Sequence, residues 1–263
     1  MLKIENLTKM FNVGETTEKI ALNNVCLNLE EGDFLTIIGG NGAGKSTLLN
    51  CISGVLSVDE GKILLDGQDI TNLAEYKRAS CVSRVFQNPL DGTAGGMNIE
   101  ENLALAHRRG KKRGLGWGIT KQERQLFHKL LSETGLGLEN LMAQKVSTLS
   151  GGQRQSLALV MAVLVQPKIL LLDEHTAALD PKTAKTVLEL TEKFTQNSKF
   201  ITIMVTHNMN DAIKFGNKLL MMNQGNVVFQ ASGEEKANLK VADLISKFSQ
   251  AGAVLNDRIL LNN

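Results

Sequence analysis

The chain has 263 residues, enough for one large domain or two small ones with a substantial core. Its formal charge of +2 excludes an acidic tail protein and does not indicate a general nucleic-acid binder. Aromatic residues make up only 4% of the chain, too few for a surface that stacks the bases of single strands. The three cysteines, Cys26, Cys51 and Cys81, are widely spaced, which argues against a disulfide framework or a zinc site and favours a reducing compartment.

The sequence does not predict a membrane-spanning segment. The longest uninterrupted apolar run, Leu157 to Val165, has nine residues, whereas a spanning helix needs roughly 20. Because the first residues alternate between polar and apolar types, a signal peptide is not expected either.

The first ninety residues are predicted to form strands around one helix. Loose period-two alternation indicates partly exposed strands, and a continuous apolar run before Gly39 indicates a buried one. The expected elements are strands over residues 3–11, 21–29, 34–38, 62–65 and 84–86 and a helix over residues 45–53.

The middle of the chain, about residues 90–155, carries helical patterns only. Thr120 and Glu123 have the spacing of a capping box, which starts a helix. The apolar residues expected on one face of that helix are Leu126, Phe127, Leu130 and Leu131. Gly135 is expected to end it.

After residue 150, helices and apolar strands alternate regularly. This alternation is typical of a parallel sheet covered on both faces, so the predicted fold class is α/β. A hairpin and one amphipathic helix follow near the end. The expected elements are helices over residues 151–166, 181–197, 208–215 and 239–248, strands over residues 169–172 and 201–205, and a hairpin over residues 219–229.

A glycine-rich stretch follows the apolar strand and matches the phosphate-loop pattern G-x-x-x-x-G-K-[ST]. Its residues are Gly39, Gly40, Asn41, Gly42, Ala43, Gly44, Lys45 and Ser46. Glycines let successive backbone N–H groups turn toward phosphates, and the helix start adds partial positive charge. Lys45 is expected to reach the β- and γ-phosphates, and Ser46 to coordinate Mg²⁺. The full match between a strand and a helix disfavours the alternative, a turn without a ligand.

Two acidic residues follow the apolar strand 169–172. Ligands of parallel sheets bind at the carboxyl ends of the strands. Asp173 therefore suits the outer shell of Mg²⁺, beyond its direct ligands, and Glu174 is placed to polarise an attacking water. Two acids in a solvated loop are the commoner arrangement, but the upstream phosphate loop supports the catalytic interpretation.

The segment Ser150-Gly151-Gly152-Gln153 opens the next predicted helix. Ser150 and Gln153 have the spacing of a capping box, which is a purely structural explanation. Two glycines in the first helical turn cost helix stability, so we expect another group to approach the backbone closely there. Exposed amides at this helix start would form a second anion site.

Leu149 together with these four residues, between a phosphate loop and Leu171-Leu172-Asp173-Glu174, resembles the signature of ATP-binding cassette (ABC) ATPases. The resemblance covers residues 2–235 and implies an ABC-type nucleotide-binding domain with a parallel-sheet core, an antiparallel β subdomain and a helical subdomain. It also implies ATP and Mg²⁺ as cofactors, held by residues 39–47, which include Thr47.

The same resemblance implies roles for single residues. Phe11 would stack on adenine, and Gln87 would touch Mg²⁺ and the attacking water. Glu174 would be the catalytic base, and His207 would contact the γ-phosphate. Residues 149–153 would close on the ATP of a partner subunit, and Asp180 would lie in the loop that crosses the dimer interface.

Several of these residues have simpler explanations. Phe11 is equally well explained as a core aromatic. Asp180 precedes Pro181, so it is also suited to be a helix N-cap, and both roles can hold together. A lone histidine such as His207 is usually structural, although its place after an apolar strand favours function. The chain departs from the family pattern at His175, where proline is common, and an acid–base role there is unsupported.

We expect a single ABC ATPase domain over residues 1–263. Within it, residues 1–89 and 156–235 would form the nucleotide-binding core and the β subdomain. Residues 90–155 would form the helical subdomain, and residues 236–263 a short C-terminal helix and tail.

By the same resemblance, the chain hydrolyses ATP to drive transport through separate integral membrane permease subunits. Because it has one phosphate loop and one signature, it must pair with a copy or a close relative, and a homodimer is expected. It would act at the cytoplasmic face of the cell membrane, with no nucleic-acid partner.

The segment from Gln87 to Leu103 resembles bacterial importers served by an extracytoplasmic solute-binding protein. The most similar group handles amino-acid-like solutes, tryptophan and branched-chain types among them. The substrate itself does not follow from the sequence. An exporter ATPase is the alternative within the family. A non-transport cassette acting on ribosomes or DNA is disfavoured, because such proteins usually carry two cassettes, coiled-coil insertions or zinc cysteines.

The basic segment, defined as residues 108–124, is not explained by these motifs. It holds seven lysines and arginines against Glu123 alone. A solvated loop is the ordinary interpretation of such a charge run. The alternative is that the segment meets lipid headgroups or acidic permease loops, since an anionic leaflet attracts about 1 kcal/mol per basic residue. The residues in this hypothesis are Arg108, Arg109, Lys111, Lys112, Arg113 and Trp117.

Overall fold

The computed structural model describes residues 1–111 and 118–250. The strands are β1 (Leu2–Phe11), β2 (Lys19–Leu29), β3 (Phe34–Gly39), β4 (Glu60–Leu65), β5 (Gln68–Asp69), β6 (Val82–Val85), β7 (Ile169–Asp173), β8 (Ile201–Val205), β9 (Lys218–Asn223) and β10 (Asn226–Ser232). The helices are α1 (Lys45–Ser53), α2 (Glu75–Arg78), α3 (Ile99–His107), α4 (Lys121–Ser132), α5 (Gly151–Val163), α6 (Pro181–Thr195), α7 (Met209–Lys214), α8 (Gly233–Ala237) and α9 (Val241–Gln250). The chain is therefore α/β, as predicted.

The chain divides into two compact units. The first contains residues 1–78 together with the chain from residue 199 onward, and the second contains residues 79–198. No helix in the described ranges is long and apolar enough to cross a membrane.

The first unit is built on two sets of strands. An antiparallel sheet has the order β2-β1-β4-β5. In the other set β3 pairs in parallel with both β8 and β9, and β10 pairs with β9 as an antiparallel hairpin. The strands β3, β8 and β9 consist largely of fully buried residues, which explains their continuous apolar sequences.

The C-terminal helices of the first unit pack against the strand β9. Leu244 and Phe248 on α9 are buried in one cluster with Met209 on α7 and Met221 on β9. Their spacing of four residues places both on one face of the helix. The amphipathic helix predicted near residue 239 is thus present as α9.

Lys236 on α8 is a buried lysine of the first unit, 2% exposed. Its ammonium donates to the Thr36 hydroxyl at 3.2 Å, to the carbonyl oxygens of Gly216 and Lys218 at 3.1 Å each, and to the carbonyl oxygen of Phe215. Burial lowers the pKa of Lys236 to about 8. The side chain joins α8 to β3 and to the end of α7.

The second unit contains β6 and β7, which pair in parallel, and the helices α3 to α6. Its apolar core includes Leu103 on α3, Phe127 and Leu131 on α4, and Leu157 on α5. Capping boxes begin three of these helices, at Asn98, Thr120 and Ser150. The two boxes predicted from the sequence are therefore confirmed, while the one at Asn98 was not predicted.

Several sequence expectations are wrong in detail. Leu126 is 37% exposed rather than packed with Phe127, because it lies at the edge of the apolar stripe of α4. The helix predicted over 151–166 ends at Val163, and Gln166 has a left-handed φ of 49° that ends the helical path. Phe86 lies outside β6, which ends at Val85.

Candidate functional site

The phosphate loop connects β3 to α1 in the first unit. Gly44 has φ 102° and precedes the first residue of α1, Lys45. The Lys45 ammonium donates to the carbonyl oxygens of Gly39 and Gly40 at 2.8 and 3.0 Å, and the residue is 5% exposed. The Lys45 side chain therefore lies across the phosphate loop, and carbonyl oxygens of the loop accept hydrogen bonds from its ammonium.

Two glycines of this loop are required by packing. A Cβ at Gly39 would come within 2.4 Å of the Met222 carbonyl oxygen, and one at Gly44 within 2.4 Å of the Ala21 carbonyl oxygen. Asn41, Gly42 and Ser46 are exposed, and no side chain caps the start of α1. The backbone amides at this helix start can thus face an anion.

His207 lies at the same end of the sheet as the phosphate loop. The strands β3 and β8 are parallel with Ile37 opposite Val205, so Gly39 and His207 each follow the paired residues by two positions. His207 is half-buried, and the next residue, Asn208, caps α7 by accepting backbone N–H bonds. The first unit therefore brings the predicted γ-phosphate contact beside the predicted phosphate loop.

Phe11 ends β1 and is half-buried rather than part of the core. The Lys9 ammonium lies 5.7 Å from the centre of its ring. Asp59 accepts a bond from this ammonium at 2.9 Å and another from the Met10 backbone N–H at 2.6 Å. Asp59 therefore anchors the end of β1, and the Phe11 ring remains partly exposed.

In the second unit, Asp173 and Glu174 follow each other at the carboxyl end of β7. An ion pair joins Arg84 Nη2 to Asp173 Oδ2 at 2.5 Å, and both side chains are 13% exposed. Glu174 has a left-handed φ of 46°, which is unusual outside glycine and turns the chain sharply after the strand. The two carboxylates therefore leave the sheet in different local conformations.

His175 is buried, and its ring is hydrogen-bonded within the second unit. Its Nε2 lies 3.1 Å from Thr191 Oγ1, and that hydroxyl donates to the Val187 carbonyl oxygen. The Thr191 hydroxyl proton is thus in use, which makes His175 Nε2 the donor of this bond. Burial lowers the pKa of His175 to about 4. The residue serves to attach the end of β7 to α6.

The signature segment starts α5 as predicted. Ser150 and Gln153 form the capping box through bonds of 3.2 and 3.1 Å. A Cβ at Gly152 would come within 2.1 Å of Thr183 Cγ2 on α6. A neighbouring side chain thus accounts for the glycine at this position. Gly151 is exposed and its backbone faces solvent.

Gln87 and Asp180 are both exposed residues of the second unit. Gln87 directly follows Phe86, whose carbonyl oxygen accepts a bond from the buried Gln155 of α5 at 3.1 Å. Asp180 is the N-cap of α6, accepting the Thr183 N–H at 3.1 Å. Hydrogen bonds from Thr183 hold the pKa of Asp180 below its ordinary value.

The basic segment is partly engaged within the second unit. Arg108 pairs with Glu123 at 3.4 Å, and the half-buried Arg109 lies 3.5 Å from the Ser83 hydroxyl. These two arginines therefore do not simply face outward. Residues Lys112, Arg113 and Trp117 of the hypothesis lie outside the described residues.

The residues predicted for Mg²⁺ fit that ion by the chemistry of their donors. Mg²⁺ that accompanies a nucleotide takes one or two protein oxygens and completes its shell with phosphates and water. Ser46 offers an exposed hydroxyl at the start of α1, and Asp173 offers a carboxylate at the end of β7.

A buried parallel strand, a glycine-rich loop and a helix that starts at its lysine define a P-loop nucleotide-binding protein. The ABC transporter family matches residues 22–177. The tyrosine transport ATP-binding protein of Clostridioides difficile (strain R20291) is 47% identical over 251 residues, which cover 95% of this chain and 100% of that protein. The phosphonates import ATP-binding protein PhnC of Treponema denticola is 33% identical over 235 residues, 87% of this chain and 88% of that protein.

A solved structure shows the same fold. A dimeric ATP-binding cassette in a post-hydrolysis state, bound to ADP and Pi, has a TM-score of 0.76 and 30% sequence identity, covering 88% of this chain and 98% of that chain. The chain therefore belongs to the ABC transporter family. It is an ATP-binding ATPase with the cassette fold, which confirms the resemblance and the fold class predicted from the sequence.

Three residues contact the predicted site residues and were missed by sequence reasoning. Arg84 binds Asp173, Gln155 binds the backbone before Gln87, and Asp59 holds the backbone before Phe11. None lies in a motif, and each contact joins positions at least 49 residues apart. The charged residue Arg84 within the strand β6 could have indicated a contact with an acidic group.

Proposed function

We propose that this chain is the ATP-hydrolysing subunit of an importer for a small amino-acid-like solute. Its similarity over 95% of its length to a tyrosine transport ATP-binding protein is the observation that carries this proposal. Tyrosine is accordingly the first solute to test. The solute would pass through separate membrane permease subunits after delivery by an extracytoplasmic binding protein.

The phosphate loop would bind the triphosphate of ATP. Lys45 already lies across the loop with its ammonium held by the carbonyls of Gly39 and Gly40. A shift to the β- and γ-phosphates would exchange neutral acceptors for charged ones, which bind an ammonium more strongly. The half-buried ring of Phe11 would stack on adenine, supported from behind by Lys9.

Hydrolysis would use residues at the ends of three strands. Glu174 would take a proton from the attacking water, Gln87 would orient that water, and His207 would bind the γ-phosphate. Mg²⁺, held by Ser46, Asp173 and Gln87, would neutralise charge on the phosphates. The left-handed backbone of Glu174 supports its role, since strained conformations of this kind cluster at active sites.

A second copy would complete each site. The segment 149–153 of one subunit would close on the ATP bound by the other, with the N-terminus of α5 directed at the γ-phosphate. Exposure of Gly151 and Asp180 on the second unit supports this use of the surface. The dimeric state of the similar solved cassette supports a homodimer.

The remaining expectations follow from the transporter assignment. The chain would work at the cytoplasmic face of the membrane, bound to its permease, without nucleic acid. We further propose that residues 90–155 form the helical subdomain, between core segments 1–89 and 156–235, with residues 236–263 as the C-terminal extension.

A trapped dimer tests the catalytic assignment. Glu174→Gln keeps the shape of the side chain but removes the base, so the variant should bind MgATP without cleaving it and elute as a dimer in size-exclusion chromatography. The double variant that adds Lys45→Ala should remain monomeric. Normal hydrolysis by Glu174→Gln would contradict the proposed mechanism.

Transport is tested separately in vesicles that contain the permease subunits with which this chain assembles. Wild-type protein should support ATP-dependent tyrosine uptake, and the Glu174→Gln variant should not. Uptake of another amino acid instead would correct the solute and leave the importer assignment in place.

A further inference from the structure

The ion pair between Arg84 and Asp173 is set by the pairing of β6 with β7. Arg84 lies opposite Leu171 in the parallel register, so its side chain extends two residues along β7 to the carboxylate. Arg84 Nη2 and Asp173 Oδ2 are 2.5 Å apart, and each side chain is only 13% exposed. Water screens such a pair far less than it screens a pair on the surface.

The guanidinium of Arg84 is itself held in place. Its central carbon lies 4.9 Å from the centre of the Phe86 ring, within the range of a cation–π contact. The backbone of Phe86 is anchored by the bond from Gln155, which is fully buried on α5. The Phe86 ring and the Asp173 carboxylate therefore fix the orientation of the guanidinium together.

We propose that Arg84 is a positioning residue that orients Asp173 and weakens the attraction of this carboxylate for the metal ion that accompanies the nucleotide. The inference rests on the proposed function, in which Asp173 lies in the outer shell of that ion. Arg84 occupies Oδ2, so Asp173 presents its carboxylate to the metal in one orientation. Its positive charge also opposes the approach of a cation at every pH, because arginine stays protonated.

A purely structural role would not require arginine at this position. The strand β6 is otherwise buried, and an apolar side chain would fill such a position without the desolvation cost of a charge. The arginine is therefore explained better by the carboxylate it contacts than by the stability of the strand.

Measuring the affinity of the chain for a metal ion distinguishes the proposed role of Arg84 from a purely structural one. Arg84→Met removes the charge and keeps an unbranched side chain. Mn²⁺ binding to the full-length chain with saturating ADP, followed by electron paramagnetic resonance, should become about tenfold tighter, as expected for a unit charge several ångströms from the metal. Turnover at saturating Mg²⁺ should fall severalfold because the carboxylate loses its orientation, while ADP affinity in EDTA should not change.

Arg84→Lys is the matched control because it keeps the charge, and its Mn²⁺ affinity should stay within about twofold of wild type. Equal or weaker Mn²⁺ binding by Arg84→Met, or unchanged turnover, would overturn the inference. If Arg84→Met does not fold, Arg84→Gln replaces it with the same expected tightening. Failure of the wild-type chain to bind ADP at all would instead contradict the proposed function, and this inference with it.

Discussion

Thr183 lies where a side chain at Gly152 would have to be placed. A Cβ added to Gly152 would come within 2.1 Å of Thr183 Cγ2, well inside van der Waals contact. Thr183 is β-branched and lies in the first turn of α6, so its side chain has few alternative rotamers. The start of α5 and the start of α6 therefore approach each other at a distance that only glycine permits.

Gly152→Ala should destabilise the protein by about 1–3 kcal/mol, the usual cost of overpacking. Urea unfolding measures the loss. The double variant Gly152→Ala with Thr183→Ala should recover most of it, because alanine removes the methyl group that clashes. A double variant no more stable than Gly152→Ala alone would show that another contact determines the cost.

Lys45→Ala should lower ATP turnover by about two orders of magnitude or more, as expected for the loss of a charge directed at the transferred phosphate. It should also weaken ATP binding, which equilibrium dialysis measures. Lys185→Ala is the control, because Lys185 is 78% exposed on α6 and its variant should hydrolyse ATP normally. Equal turnover in the two variants would remove the phosphate-loop lysine from the mechanism.

Asp180 caps α6 and is also proposed to lie in the dimer interface, and two substitutions distinguish these roles. Asp180→Ala removes the N-cap of α6 and should lower the melting temperature, whereas Asp180→Ser keeps a capping oxygen and should melt close to wild type. If Asp180 also lies in the dimer interface, both variants should weaken the ATP-dependent dimer of the Glu174→Gln background. Full dimerisation of Asp180→Ser would restrict this residue to capping.

The lowered pKa of Asp33 makes the stability of the fold depend on pH. Burial by itself raises the pKa of this carboxyl, but the bonds from Lys218, Asn217 and the Glu30 N–H more than offset this and leave the pKa below its ordinary value. A lowered folded-state pKa stabilises the fold above the ordinary value of about 4, and the stabilisation is lost as pH falls through the folded pKa.

Asp33→Asn should therefore cost about 1–3 kcal/mol at pH 7, since a charged bond in a partly buried site is lost. Its unfolding free energy should fall less steeply than that of wild type between pH 5 and the folded pKa. Urea titrations across this range provide the comparison. Parallel profiles for the two proteins would exclude Asp33 as a source of acid sensitivity.

Local signals were sufficient to predict most helix starts of this chain. The capping residues Thr120 and Ser150 and the N-cap Asp180 act within three or four residues, so the sequence shows both partners of each bond. The helix start at Asn98 carried the same signal, with Glu101 three residues later, and could have been predicted.

Contacts between distant strands could not be predicted in this way. The bond from Arg84 to Asp173 joins positions 89 residues apart and depends on which strand lies beside β7. The reason for Gly152 was likewise hidden, because the group that approaches its backbone belongs to another helix. For the same reason the exposure of Leu126 was missed, since the width of a buried stripe is set by what packs against it.

Lys236 makes the C-terminal part of the chain necessary for the packing of the first unit, although this part lies far from the phosphate loop in the sequence. A stop codon before this residue would remove the Lys236 ammonium, which four oxygens share, together with Leu244 and Phe248 of the same unit. The Thr36 hydroxyl, on the strand that leads into the phosphate loop, would lose the bond from this ammonium and keep its bond to the Ala212 carbonyl oxygen. Shortened versions of this protein that end near residue 235 should therefore be insoluble or unfolded.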